Sequence, residues 1–212
     1  MPTRKDIFIN CREFHIFDRT LEDHDIFNDL KIWEMFLGAV KYYSYYIKVS
    51  FSDYRRMKEN DRHVIVKHEM IKANKLVDIE CHMGMPNHYH FILKQLQDNG
   101  VIHCMSRALN SITRYYNRRH KRKGPIFLPQ FRSVAILSAE QLVRTSGYIH
   151  LNPWKSGLVS SLQGLINYPT SSLGIYVGVK GSTWLRTEPV MRHFHYSGIE
   201  YKKYLIGKGI SE

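Results

Sequence analysis

The segment between residues 76 and 94 limits the fold of this chain more than any other part of the sequence. Apolar residues dominate 76–81 and 88–94, and Gly84, Pro86 and Asn87 separate the two runs. Short apolar runs bounded by such residues are typical of β-strands. The segment is interpreted as two strands, or as one long strand bent between Gly84 and Asn87.

Helical periodicity lies on both sides of these strands. Residues 27–46 and 101–120 repeat apolar side chains at helical intervals, which predicts two amphipathic helices. A further helix is predicted over 139–151, because Ser138 and Gln141 form a capping box and Asn152-Pro153 favours an end. With an early strand in 5–17, this order predicts an α+β sandwich with one antiparallel sheet.

The length of 212 residues suits one compact domain with terminal additions. We assign residues 1–165 to a main domain that contains a polar, charge-rich insertion at 50–75. Residues 166–212 are richer in turn-forming residues and regain aromatic side chains, so we interpret them as a C-terminal extension packed on that domain.

Cysteine content and hydropathy indicate the compartment. Cys11, Cys81 and Cys104 are odd in number and far apart, which argues against a disulfide scaffold or a zinc–thiolate site. The first residues show no apolar secretory leader, and no apolar run approaches the ~20 residues of a membrane span. We therefore expect a cytoplasmic protein that does not enter a membrane.

His88 and His90 are candidate metal ligands. Residues two apart on a strand point to the same face, with Cα atoms roughly 6.6 Å apart, so both imidazoles could reach one divalent cation. Taken alone, the His-x-His pattern favours structural packing, because the chain has 12 histidines and His193 and His195 form a second pair.

Tyr148 and Asn152 are four residues apart on the third predicted helix, which places both side chains on one face. A phenol is a weak nucleophile at neutral pH, and a nearby divalent cation would help by polarising a phosphate. The amide oxygen of Asn152 could be a third ligand beside the histidines. The alternative is a packed tyrosine and an asparagine that merely ends the helix.

The charge balance points to a polyanionic partner. The chain has 31 Lys and Arg against 19 Asp and Glu, a formal charge of +12, and nucleic acid is the commonest partner of so basic a protein. Between residues 114 and 123 the interleaved Tyr115 and Tyr116 could stack on bases. The alternative is a solvated helix end. The candidate phosphate contacts there are Arg114, Arg118, Arg119, Lys121, Arg122 and Lys123.

Several separated blocks, in this order, resemble the REP-associated tyrosine transposases of the HUH single-tyrosine superfamily. These are M-P-N-H-Y-H at 85–90, T-R-Y-Y-N-R-R at 113–119, K-R-K-G-P at 121–125 and Y-I-H-L-N-P at 148–153. G-L-V at 157–159, N-Y-P at 167–169 and the opening segments F-H-I at 14–16 and D-I-F at 25–27 also fit. The resemblance covers residues 5–175.

The resemblance implies a ferredoxin-like or RRM-like sheet with the histidines on a central strand. It implies Tyr148 as the catalytic nucleophile, His88 and His90 as ligands of Mg²⁺ or Mn²⁺, and Asn152 as the third ligand. It also implies single-stranded DNA with hairpin-forming repeats as substrate. Some relatives are homodimers that exchange the tyrosine helix, so the site could form within or between chains.

The implied reaction is transesterification, in which Tyr148 forms a 5′-phosphotyrosine bond, releases a 3′-OH and later rejoins DNA. Two alternatives stay open: an inactive hairpin-binding descendant of a transposase, and a metal-dependent hydrolase with water as nucleophile. Tyr115 or Tyr116 is a minor alternative nucleophile. The chain departs from the pattern at 128–133, where Arg132 is still expected to contact DNA, and at Gly147, which is expected to loosen the helix.

Overall fold

Four antiparallel strands form the centre of the protein in a computed structural model that describes residues 7–208. The strands are β1 (Glu13–Arg19), β2 (Val77–Met85), β3 (His88–Gln95) and β4 (Arg132–Ala135). Their order across the sheet is β2-β3-β1-β4, so β1 and β3 are central. The predicted α+β class with one antiparallel sheet is confirmed, and the order is that of the ferredoxin-like arrangement.

Helices cover both faces of this sheet. None of them, within residues 7–208, is long and apolar enough to cross a membrane. The insertion predicted at 50–75 contains two of the helices and a 3-10 turn. The helices are α1 (Leu30–Tyr43), α2 (Phe51–Arg56), α3 (Glu59–His68), α4 (Gly100–Arg119), α5 (Ala139–Lys155), α6 (Leu162–Ile166), α7 (Leu173–Tyr176), α8 (Glu188–Met191) and α9 (Gly198–Ile206).

β2 and β3 are two strands joined by a tight turn, which settles the alternative of one bent strand. Met85 pairs with His88 next to the turn. Gly84 is needed in β2, because a Cβ there would lie 2.5 Å from the Trp33 ring. The close contact with Trp33 fixes α1 against the strand that leads into the histidine pair.

The first face of the sheet is mainly apolar and covered by α1 and α4. Tyr89 and Phe91 of β3 contact Phe36 of α1, and Phe91 also stacks on Trp33. α4 packs along α1 on the same side. Side chains alternate across a strand, so the neighbours of Tyr89 in sequence, His88 and His90, point to the opposite face.

α5 covers part of that second face. Ser138 caps it by accepting a hydrogen bond from the Gln141 backbone, as the capping box predicts. The helix does not end at Asn152, however, but runs through Pro153 to Lys155. Pro153 has no N–H for the carbonyl of Ile149, and the Asn152 side-chain amide donates to that carbonyl instead, at 3.3 Å. This replacement explains why the helix continues.

The segment after α5 packs on the edge of β2 and on α5. Thr170 and Gly84 exchange hydrogen bonds, and Ser172 bonds to the backbone of His82. His150 of α5 is fully buried, with Nδ1 at 2.8 Å from the Tyr201 hydroxyl of α9. These contacts join 166–208 to the sheet; the division of the chain at residue 165 stays a prediction.

Candidate active site

The strand register places His88 and His90 on the second face of the sheet. His90 lies opposite Phe17 of β1, and His88 lies opposite Arg19. The two imidazole rings are 5.2 Å apart between centroids and nearly perpendicular. The pair therefore sits at the central strand, near the turn that precedes it.

Each histidine is held through its Nδ1 atom. His88 Nδ1 donates to Asn87 Oδ1 at 2.7 Å, since an amide oxygen can only accept. His90 Nδ1 lies 2.9 Å from Nε2 of His15, on β1. His90 Nε2 is buried and has no hydrogen-bond partner among the described residues. The pair thus offers a buried ring nitrogen that the protein leaves without a bond.

Burial keeps these imidazoles neutral. It lowers the pKa of His15 to about 4, and it lowers the pKa of His90 well below its usual value, with smaller contributions from His15 and His88. The pKa of His88 is lowered by burial and by the charge of Arg19. The neutral imidazole is the form that binds metal ions.

Tyr148 of α5 lies beside this pair. Its ring meets the rings of His90 and His15 edge to face, with centroids 5.9 Å and 6.1 Å apart. The side chain is 44% exposed, so an external group can reach it. Lys155 Nζ lies 5.3 Å from the centroid of the Tyr148 ring. The structure thus brings together Tyr148, His90 and His15 within one chain.

Asn152 is buried on α5 and bonded to its own helix. Its Nδ2 donates to the carbonyl of Tyr148 at 3.1 Å and to that of Ile149 at 3.3 Å. Both bonds use the amide nitrogen of Asn152. Its amide oxygen, which is the atom that would bind a cation, takes no part in them. Asn152 therefore does not end the helix, as the sequence suggested, but supports its continuation through Pro153.

The donors present fit a divalent cation only in part. Nowhere in residues 7–208 do three His, Cys, Asp or Glu side chains cluster as a metal site. The unbonded Nε2 of His90 and the Nδ1-anchored ring of His88 are donors suited to a cation. A metal would therefore bind two imidazoles together with a ligand of another type.

The predicted phosphate contacts do not form one patch. Arg132 of β4 lies opposite Phe17 on the histidine face. The loop that carries Lys121 and Lys123 leads to Ile126, whose carbonyl accepts a hydrogen bond from Leu21 N, just beyond the end of β1. Arg122 is used inside that loop, since it donates to Asn117 and to the carbonyl of Pro125.

The remaining predicted contacts line a groove of about 1230 Å³ between α4 and α2. α4 packs on the first face of the sheet. The groove therefore lies across the sheet from the histidines, and so do Tyr115 and Tyr116 of α4. Arg119 is paired there with Asp29 at 3.0 Å. The basic side chains of the groove are Arg55, Arg56, Arg107, Arg114, Arg118 and Arg119.

Gly147, beside the tyrosine, has a packing role that the sequence did not reveal. A Cβ at this position would lie 2.8 Å from the Tyr204 ring of α9. The missing side chain thus lets the last helix approach α5, and Gly147 is buried. The glycine expected to loosen the helix is the point where the C-terminal segment packs against it.

Sequence reasoning missed three residues at this site. His15 was noted only as part of an opening block, and its contact with His90 depends on the pairing of β1 with β3. Arg19 lies opposite His88 for the same reason, and Lys155 lies on the part of α5 beyond the predicted helix end. Alternation of His15, Phe17 and Arg19 along β1 was the available signal.

Comparison with known proteins gives a fold relationship. Neither a family model nor a curated protein matches the sequence. Among solved structures, a REP-associated tyrosine transposase bound to a REP hairpin is similar, with a TM-score of 0.53 and 15% identity. The match covers 88% of this chain and 98% of that one. This protein therefore has the fold of a REP-associated tyrosine transposase.

Proposed function

We propose that the protein is a metal-dependent tyrosine transposase that cuts and rejoins single-stranded DNA. The observation that carries the proposal is the half-exposed ring of Tyr148 against His90 and His15. A nucleophile must be reachable by its substrate, and a metal ligand must be neutral and oriented. Those requirements agree with the exposure of Tyr148 and the burial of His90.

In the proposed reaction the Tyr148 oxygen attacks the phosphorus of a phosphodiester. A new bond forms between the phenol oxygen and the phosphorus, which stays attached to the 5′ oxygen. The bond from the phosphorus to the 3′ oxygen breaks, and the phenol proton passes to solvent. The leaving 3′ oxygen takes a proton and becomes a free hydroxyl. Attack of a 3′-OH on the phosphotyrosine reverses the sequence and rejoins DNA without an external energy source.

His88 and His90 would hold a divalent cation, Mg²⁺ or Mn²⁺, with the Asn152 oxygen as third ligand. Such an ion polarises the phosphate and stabilises the charge that develops on its oxygens. In this proposal Lys155 helps to hold the Tyr148 ring in place, because its ammonium lies over that ring in a cation–π contact.

The proposed substrate is single-stranded DNA next to a hairpin. Support comes from the positive charge of the chain and from the solved structure of similar fold, which holds a REP hairpin. Arg132 and the loop at Lys121 and Lys123 would contact phosphates near the histidine face, and Arg114 and Arg118 would do so in the groove. The proposal places the active site within one chain, and a homodimer is not required for it.

The test is incubation with hairpin-bearing single-stranded DNA and Mn²⁺, followed by denaturing electrophoresis. A label at the 3′ end should stay with the protein, whereas a 5′-labelled fragment should be released. Tyr148→Phe should abolish the covalent band, and Tyr115→Phe, across the sheet, should keep it as the matched control.

The other outcomes separate the alternatives. Hairpin binding without a covalent band under any of these conditions would show an inactive binding protein. Cutting that survives Tyr148→Phe would show a hydrolase that uses water. Loss of the band in Tyr115→Phe but not in Tyr148→Phe would move the nucleophile to α4.

A further inference from the structure

His15 is the residue outside the predicted site that makes the most specific contact with it. Its Nε2 lies 2.9 Å from Nδ1 of His90, and the two rings stack with centroids 5.1 Å apart. We propose that His15 is a positioning residue that accepts a hydrogen bond from His90 Nδ1–H, so that His90 Nε2 keeps its lone pair for the cation. This inference rests on the proposed function.

The direction of the hydrogen bond follows from the atoms around His90. A neutral imidazole carries one proton, on Nδ1 or on Nε2. A proton on Nε2 would place a buried N–H where no described residue can accept it. A proton on Nδ1 is accepted by His15 and leaves a lone pair at Nε2, the state in which a cation binds.

The second histidine shows the same arrangement independently. His88 Nδ1 can only donate to Asn87 Oδ1, so its Nε2 also carries a lone pair. Both rings are thus anchored through Nδ1 by a neighbouring acceptor. Metal-bound histidines usually have such a partner, whose loss typically costs about 10–100-fold in metal affinity or activity.

Two substitutions distinguish positioning from packing. His15 also contacts the rings of Phe17 and Tyr148, so His15→Phe keeps an aromatic ring but removes the acceptor. His15→Gln keeps an acceptor and loses the ring. Positioning predicts that His15→Phe weakens Mn²⁺ binding by about 10–100-fold and that His15→Gln weakens it less. Packing predicts the opposite order.

A spectroscopic measurement on the metal-free protein reports the tautomer of His90 directly. Nitrogen-15 NMR of the imidazoles should show His90 protonated at Nδ1, and His15→Phe should yield a mixture of the two tautomers. Calorimetric titration with Mn²⁺ then gives the affinities, and thermal unfolding checks that each variant folds.

The outcomes separate this inference from the proposed function. If wild-type His90 carries its proton on Nε2, or if His15→Phe binds Mn²⁺ as tightly as wild type, the role of His15 is wrong while the tyrosine chemistry can stand. If the wild-type protein binds no Mn²⁺ and forms no covalent adduct, the proposed function itself fails. The retained tautomer in His15→Gln is the rescue expected only for positioning.

Discussion

At the scale of single residues, burial acts oppositely on imidazoles and carboxyls. It lowers the pKa of His82 and of His150 to about 3. It raises the pKa of Asp18 to about 7 and that of Glu80 to about 8, the latter also through repulsion from Glu13. Burial therefore favours the neutral form of these four groups, as it does for the imidazoles of the histidine face.

Glu80 gives a prediction about stability and pH. Its folded pKa of about 8 exceeds the usual 4.5, so between these values the folded protein keeps a proton that the unfolded chain has lost. Stability should therefore fall as pH rises through this window. Glu80→Gln removes the titration, so the variant should match wild type near pH ~4 and exceed it near pH ~9, by on the order of a few kcal/mol.

Urea unfolding at several pH values measures this effect. Buried histidines such as His150 act in the other direction, losing stability as pH falls from 6.5 towards 3. They are common to both proteins, so the difference between wild type and variant isolates Glu80. A difference that stays constant from pH ~4 to ~9 would contradict the raised pKa.

The sequence indicated which residues lie at the candidate site better than it indicated their contacts. Tyr148, His88 and His90 could be named because their spacing agrees with the resemblance carried by their motifs, and the structure brings Tyr148 against His90; their catalytic and metal-binding roles stay predictions. His15 could not, because its contact depends on the register between β1 and β3, and His15 and His90 are 75 residues apart in the sequence. Local periodicity carries no information on such pairing.

At the scale of elements, long helices and buried strands followed from periodicity, whereas short edge elements did not. The helix predicted over 101–120 is α4, Gly100–Arg119, and the two apolar runs are β2 and β3. β4 was missed, because its four residues, Arg132–Ala135, are too few for a visible alternation. As an edge strand it is held by pairing with β1 and not by its own pattern.

The course of α5 through Pro153 separates two roles of Asn152. Asn152→Ala should destabilise the protein by about 1–3 kcal/mol, because the carbonyls of Tyr148 and Ile149 lose a donor. Pro153→Ala supplies a backbone N–H to Ile149, so the double variant should recover part of that stability. Mn²⁺ affinity should stay weakened in the double variant if the Asn152 oxygen is a ligand.

Thermal unfolding and Mn²⁺ calorimetry on the two single variants and the double variant test this. Pro153→Ala alone is the control and should bind Mn²⁺ like wild type. Recovery of both stability and Mn²⁺ affinity in the double variant would leave Asn152 with a purely structural role on α5.

At the scale of the whole molecule, the sheet separates two basic regions. The histidine face has Arg19 and Arg132, and the groove between α2 and α4 lies on the other side. The sequence indicated a basic segment but not its division, because consecutive residues of α4 and the following loop point in different directions.

This division predicts which arginines set the salt dependence of DNA binding. Arg114 and Arg118 are exposed in the groove, and each phosphate that the protein no longer neutralises should lower the slope of log affinity against log salt by about 0.7–0.9. The double variant Arg114→Ala/Arg118→Ala should therefore have a slope smaller by about 1.4–1.8 for a hairpin substrate. Its covalent band should persist at low salt, because Tyr148 lies across the sheet.

Lys67→Ala/Lys203→Ala is the matched control, since it removes the same charge from exposed sites on α3 and α9. A general effect of net charge would lower the salt slope equally in both double variants, whereas phosphate contacts in the groove would lower it only in the arginine variant. An unchanged slope in the Arg114→Ala/Arg118→Ala variant would show that the hairpin binds elsewhere.

Arg122→Ala should act differently, because Arg122 donates hydrogen bonds to Asn117 and to the carbonyl of Pro125. This substitution should lower the thermal stability and change the salt slope little.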